Sequence, residues 1–276
     1  MIDRNELIEV VTRQVLATLA GQPGDQGLEH AAQVVANGAA RLGYCGAGVD
    51  VPRDLAQFID HTLLRPDATP ADIDRLCDEA AEYGFAAVCI NPSWVARAKR
   101  RLRNAGVTVA SVVGFPLGAN TPEIKAMEAR RALRDGAREI DMVINIGALK
   151  GDKHDLVKRD IAGVSDACRE VGALNKVIIE AAYLTDEEKV IACRLAVAGR
   201  AHYVKTSTGF GPGGATVFDV ALMREVVGAK VGVKAAGGIH TADEVREMIT
   251  AGATRIGASA GVRIVTGEEG ESGGSY

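Results

Sequence analysis

The chain has 276 residues, 47% hydrophobic and 25% charged, the balance of a soluble globular protein of one large domain or two small ones. Lys and Arg number 32 against 36 Asp and Glu, a net charge of −4, and no basic stripe interleaved with aromatics argues for a nucleic-acid groove. No apolar run approaches the roughly 18 residues of a spanning helix, no basic-then-apolar leader opens the chain, and five cysteines without a C-x-x-C pair suit reduced thiols, so a cytosolic protein away from membranes is expected.

In chain order, Leu7, Ile8, Val11, Val15 and Leu19 form one helical stripe and predict an amphipathic helix over residues 1–20. Gly21-Gln-Pro-Gly-Asp-Gln-Gly27 reads as a linker, an Ala-rich helical segment extends the region 21–50, and the main domain is expected over 51–265. Residues 266–276, rich in Gly, Glu and Ser, are expected as a frayed tail. Within the domain, apolar runs recur at Gln57–Asp60, Ala86–Ile90, Thr108–Val113, Glu139–Ile144, Lys176–Glu180, His202–Lys205, Gly232–Ala235 and Arg255–Gly257. Helix starts fall between them, where a side-chain oxygen caps free N–H groups or proline fills the first turn: Thr69-Pro70, Asn91-Pro92, Thr121-Pro122, Thr185-Asp-Glu-Glu188 and Thr241-Ala-Asp-Glu244. Gly84, Gly106, Gly136 and Gly252 stand where helices would stop. Eight short strands alternating with helices predict an α/β fold, a (β/α)8 TIM barrel with an N-terminal helical extension; an open doubly wound sheet is the competitor, but no Gly-rich turn follows the first strand.

The chemistry of such a barrel sits at the C-terminal ends of its strands. These ends are expected to carry Asp60, Cys89, Asp141, Lys205, Lys234, Gly257 and Ser259. Burial disfavours an ammonium, and a second ammonium nearby disfavours it further, so two close lysines suit a Schiff base in which one attacks a carbonyl as the neutral amine. Asp141 would then move protons through a water. The plainer alternative is a structural ion-pair network of Lys205, Lys234 and Asp141. Scattered histidines without H-E-x-x-H give no basis for a metal site. Three glycine-bearing loops, at Thr208-Gly209, Gly237-Gly238 and Gly257-Ala-Ser259, suit backbone capture of a phosphate. Cys89 reads as a buried thiol rather than a nucleophile, and Trp94 and Phe115 as packing at the rim.

Phe58-Ile-Asp-His-Thr-Leu-Leu-Arg-Pro66, Val204-Lys-Thr-Ser-Thr-Gly209 and Val233-Lys-Ala-Ala-Gly-Gly238, with matching stretches at the other five strands, resemble the deoxyribose-phosphate aldolase family of the short bacterial type. The resemblance implies a class I aldolase without metal or cofactor that reversibly cleaves 2-deoxy-D-ribose 5-phosphate to glyceraldehyde 3-phosphate and acetaldehyde. It implies Lys205 as the Schiff-base lysine, Lys234 as the group that perturbs its pKa and Asp141 as acid/base. It also implies Asp60, Cys89, Lys176 and Thr208 at the substrate, Gly209, Gly237, Gly238, Gly257 and Ser259 at the phosphate, and a homodimer. His240 departs from the family, which often has Arg there, so weaker phosphate binding or broader selectivity is expected. The N-terminal helix resembles encapsulation peptides that dock enzymes to microcompartment shells, which implies a shell protein as partner; packing on the barrel or at a dimer seam is the alternative. The competing functions are a Schiff-base aldolase of another aldol and a catalytically silent barrel scaffold.

Overall fold

The computed structural model describes residues 54–267. The N-terminal helix expected over 1–20, the segment 21–50 and the tail from 268 onward lie outside the described residues. Parallel strands β1 (Ile59–Leu63), β2 (Ala87–Ile90), β3 (Thr108–Val113), β4 (Glu139–Val143), β5 (Leu174–Ile178), β6 (Tyr203–Lys205), β7 (Gly232–Ala236) and β8 (Arg255–Ala258) pair in chain order, and β8 returns to β1 to close the barrel. Around them run α1 (Pro70–Tyr83), α2 (Val95–Arg101), α3 (Pro122–Asp135), α4 (Ile146–Lys150), α5 (His154–Arg169), α6 (Asp186–Ala198), α7 (Val217–Val227), α8 (Ala242–Thr250) and α9 (Gly261–Thr266). This is the expected (β/α)8 barrel, with α9 carrying it one residue past the expected boundary at 265.

Local chemistry sets the helix ends. Thr69, Thr185 and Thr241 each close a capping box, with the N3 residues Asp72, Glu188 and Glu244 bonding back. Gly84 ends α1 in the left-handed conformation that a side chain would disfavour. Thr121 caps α3 without a side-chain hydrogen bond, leaving Pro122 as the start signal.

Strands alternate between two interiors. On β4, Ile140 and Met142 are buried in the core between sheet and helices, while Glu139 and Asp141 turn into the barrel. Each such fully buried Ile or Met contributes about 1.5–3 kcal/mol. Two strands differ in register from expectation. β1 begins at Ile59 and continues to Leu63, because His61, Thr62 and Leu63 stay laddered to Val88, Cys89 and Ile90. The Thr62 hydroxyl donates to the Asp60 carbonyl and His61 Nε2 meets Glu79 at 2.7 Å, so both side chains find a polar partner within the fold, although His61 Nδ1 is buried without one among the described residues. β5 begins at Leu174, which moves Lys176 from a strand start to its centre. Asp60 in β1, Asp141 in β4 and Lys234 in β7, all expected at strand ends, lie within their strands.

Candidate active site

Asp60 from β1, Glu139 and Asp141 from β4, Lys176 from β5, Lys205 from β6 and Lys234 from β7 meet in one buried layer inside the barrel, joined by the partly exposed Arg255 from β8. Lys234 Nζ donates to Asp141 Oδ2 at 2.7 Å and to Asp60 Oδ2 at 2.5 Å. Lys176 Nζ lies 2.5 Å from Glu139 Oε2, 2.9 Å from Asp141 Oδ1 and 3.4 Å from Asp60 Oδ2. Arg255 Nη1 bonds Asp60 Oδ1 at 2.6 Å and Glu139 Oε2 at 3.1 Å. Lys205 ends its strand and touches one carboxylate of the layer, Asp141 Oδ2 at 2.9 Å, an oxygen it shares with Lys234.

Four cations thus face three carboxylates in this layer, and the surplus proton has a natural place to leave. Burial pushes the Lys205 amine below its ordinary pKa, the Lys234 ammonium pushes the same way, and Asp141 opposes without overcoming them. Burial also acts to lower Lys176 and Lys234, but Asp141 and Asp60 outweigh it and hold both above the usual range, Lys176 with Glu139 as well. Asp60 and Asp141 keep their protons off despite burial, held low by the ammoniums of Lys176 and Lys234 on both, with Arg255 on Asp60 and Lys205 on Asp141. The expected ion-pair network therefore exists, and it encloses one lysine whose balance differs from the others.

Leu64, Ala87, Cys89, Ala110 and Val112 make a small apolar cluster that adjoins the charges through Cys89, and against it packs Phe115, whose ring meets Phe210 edge-on at 5.4 Å between centroids. Cys89 Sγ lies 3.9 Å from Asp141 Oδ2, and burial followed by that carboxylate raises the thiol's pKa, so it is a poor nucleophile. Beside the mouth is a cleft of about 270 Å³ lined by Gly209, Gly211, Pro212, Gly213, Gly214, Gly237, Gly238, Ile239, His240 and Ser259. Its walls touch backbone to backbone: a Cβ on Gly214 would stand 2.3 Å from the Gly237 carbonyl oxygen, so only glycine fits.

Gly209, Gly237, Gly238 and Ser259 are thus brought together as the sequence suggests. Gly257 is not among the lining residues; it packs on the Lys234 stem, where a Cβ would lie 3.0 Å from Cε. Thr208 is buried, its hydroxyl donating to Glu180 at 2.5 Å and accepting the Phe210 N–H at 3.0 Å. Sequence reasoning missed Glu139, Arg255 and Glu180. The first had a signal, since charges at alternate positions of an otherwise apolar strand, Glu139 and Asp141, share one face. Glu180 had none: burial raises its carboxyl pKa, against the Thr208 bonds and Lys205, and its partners come from another strand loop. Among the described residues no group of three or more His, Cys, Asp or Glu is arranged to hold a metal ion, and no helix is long and apolar enough to cross a membrane.

A closed barrel with a lysine poised toward the neutral amine and a glycine-walled cleft at its mouth defines an enzyme of the (β/α)8 class. The chain belongs to the DeoC/LacD family of aldolases, whose model matches residues 55–267. It is 60% identical over 218 residues to the deoxyribose-phosphate aldolase of Enterococcus faecalis, covering 79% of this chain and 99% of that one. It is 62% identical over 217 residues to the deoxyribose-phosphate aldolase of Thermococcus kodakarensis, covering 78% and 97%. The tetrameric deoxyribose phosphate aldolase of Aeropyrum pernix superposes with a TM-score of 0.74 at 32% identity, over 88% of this chain and 97% of that one.

Proposed function

We propose that this aldolase reversibly cleaves 2-deoxy-D-ribose 5-phosphate to D-glyceraldehyde 3-phosphate and acetaldehyde through a Schiff base on Lys205. The observation that carries the mechanism is the asymmetry among the buried cations: Lys205 alone among the three lysines is pushed toward neutrality. Its free amine adds to the C1 aldehyde of the open-chain sugar, and loss of water leaves an iminium. A base, Asp141 acting through a water, takes the C3 hydroxyl proton; the C2–C3 bond breaks, its electrons pass to the iminium as an enamine, and glyceraldehyde 3-phosphate departs. Protonation of the enamine at C2 and hydrolysis of the imine return acetaldehyde and the free amine. Lys234, charged and bound to Asp141, keeps a second ammonium beside Lys205 and stands ready to supply protons.

The apolar cluster around Cys89 suits the methyl end of acetaldehyde, and the glycine-walled cleft suits the phosphate through backbone N–H groups. The names of the relatives at about 60% identity support the same substrate. Incubation with acetaldehyde and borohydride, followed by peptide mapping, is expected to leave one reduced adduct on Lys205 that disappears in Lys205→Ala. A folded protein without that adduct would sink the Schiff-base reading in favour of the silent scaffold.

The N-terminal stripe of Leu7, Val11, Val15 and Leu19 supports a second, separable role as a docking helix for a shell protein. The matched region begins at residue 55, so this role and the barrel's chemistry rest on different parts of the chain. The homodimer rests on the resemblance alone; a tetramer is known for the Aeropyrum pernix relative, and sedimentation of the purified protein decides between them.

A further inference from the structure

Glu180 follows β5 with φ 54° and ψ 63°, a left-handed backbone that is unfavourable for any residue carrying a Cβ. Backbone bonds on both sides pin it there: Ile179 N–H to the Lys205 carbonyl at 3.0 Å and Ala181 N–H to the Thr206 carbonyl at 2.9 Å. The strained residue turns a buried carboxylate beneath the loop after β6. Glu180 accepts the Thr208 hydroxyl at 2.5 Å, and the Thr208 N–H lies 3.2 and 3.3 Å from its two oxygens. Because the Thr208 proton is committed to Glu180, the Thr208 oxygen is oriented to accept the Phe210 N–H. Gly211 rests on the carboxyl, where a Cβ would be 3.0 Å from Glu180 Cδ. The far end of the same loop is held by the Ala215 N–H to the Gly237 carbonyl at 3.0 Å.

We infer that Glu180 is a positioning residue that fixes the loop 208–214 as one wall of the anion cleft, and that it thereby sets the preference for phosphorylated over unphosphorylated aldols. The inference rests on the reading of that cleft as the phosphate site. Backbone strain of this kind persists only where surrounding structure over-determines it, and here the bonds that do so come from Lys205 and Thr206, the residues that lead into the loop whose Thr208 the carboxylate holds.

The test uses the full chain, with 2-deoxyribose 5-phosphate and 2-deoxyribose as substrates and inorganic phosphate as competitive inhibitor. Loss of a charge-assisted anchor in Glu180→Ala is expected to raise KM for the phosphorylated sugar and Ki for phosphate about tenfold, with kcat on the phosphorylated sugar changing by less than about threefold. Glu180→Gln, whose amide oxygen still accepts from Thr208, is expected to recover most of the loss. Should thermal melting show Glu180→Ala unfolded, Thr208→Val removes the hydroxyl side of the same bond and should move the same two constants. Unchanged KM and Ki in the folded variant overturn the proposal, as does an equal fall of kcat on both sugars, which would place the action of Glu180 at Lys205. A wild-type protein indifferent to the 5-phosphate removes the cleft reading and this proposal together.

Discussion

At the scale of single residues, proton placement decides what the site does. The proposed Schiff-base route needs a neutral Lys205 amine, so kcat/KM on the sugar phosphate is expected to climb as pH rises through the lowered pKa of Lys205. Removing the neighbouring ammonium in Lys234→Met relieves part of that pressure, moving the rising limb to higher pH and cutting kcat/KM at neutral pH by about 10²-fold or more. A limb that stays in place would show that Lys234 does not tune Lys205. The carboxylates carry an opposite dependence. Folded Asp60 and Asp141 stay ionised below the unfolded value near 3.8, so between these limits the unfolded chain binds more protons than the folded one. Their stabilisation is complete above about pH 5 and drains away as pH falls toward their folded values, which urea midpoints taken between pH 6 and pH 3 would trace. The cleft holds a third test. His240 is the one titratable side chain among its lining residues, and His240→Arg, adding a permanent cation, is expected to lower KM for the phosphorylated sugar about fivefold while leaving that for 2-deoxyribose nearly fixed.

At the scale of elements, a second buried ion pair lies outside the barrel, between α3 and α5. Lys125 Nζ reaches Asp160 and also donates to the Val143 carbonyl at the end of β4, at 2.8 Å. Burial lowers the lysine's pKa and raises the aspartate's, the mark of a pair that its surroundings tolerate only as a unit. Lys125→Met should therefore destabilise by about 3–5 kcal/mol by stranding Asp160, whereas Lys125→Met combined with Asp160→Leu should recover most of it. A chemical-denaturation double-mutant cycle measures the difference. This pair also marks where sequence reading runs out. The eight strands announce themselves because each is a short apolar run, and Thr185 or Thr241 marks a helix start within four residues of its partner glutamate. Lys205 and Lys234 stand out because ammoniums are rare at such places. Lys125 and Glu180 give no such warning, since what makes them special arrives from 35 and 28 residues away. β1 misleads for a related reason: the apolar run stops at Asp60, and the partners that let His61 and Thr62 continue the strand, Glu79 from α1 and the Asp60 carbonyl, are not visible in the run itself.

For the whole molecule, the question is how the first fifty residues relate to a barrel that is complete without them. The strands close from β1 to β8 within residues 54–267, and the Enterococcus faecalis relative is matched over 99% of its own length by 218 residues of this chain. A truncated protein beginning near residue 50 is therefore expected to melt within a few degrees of the full chain, because no closed strand pair is lost, and to retain kcat on the sugar phosphate. Acetaldehyde is small, volatile and reactive toward amines, so a stripe of Leu7, Val11, Val15 and Leu19 that docks in a shell groove would keep the product beside an enzyme that consumes it. The same stripe folded back on the barrel would instead stabilise it. Deleting residues 1–27 separates these cases: docking predicts lost co-assembly with shell proteins at unchanged melting temperature and kcat. Packing on the barrel predicts the converse, a lowered melting temperature with co-assembly no different from the full chain.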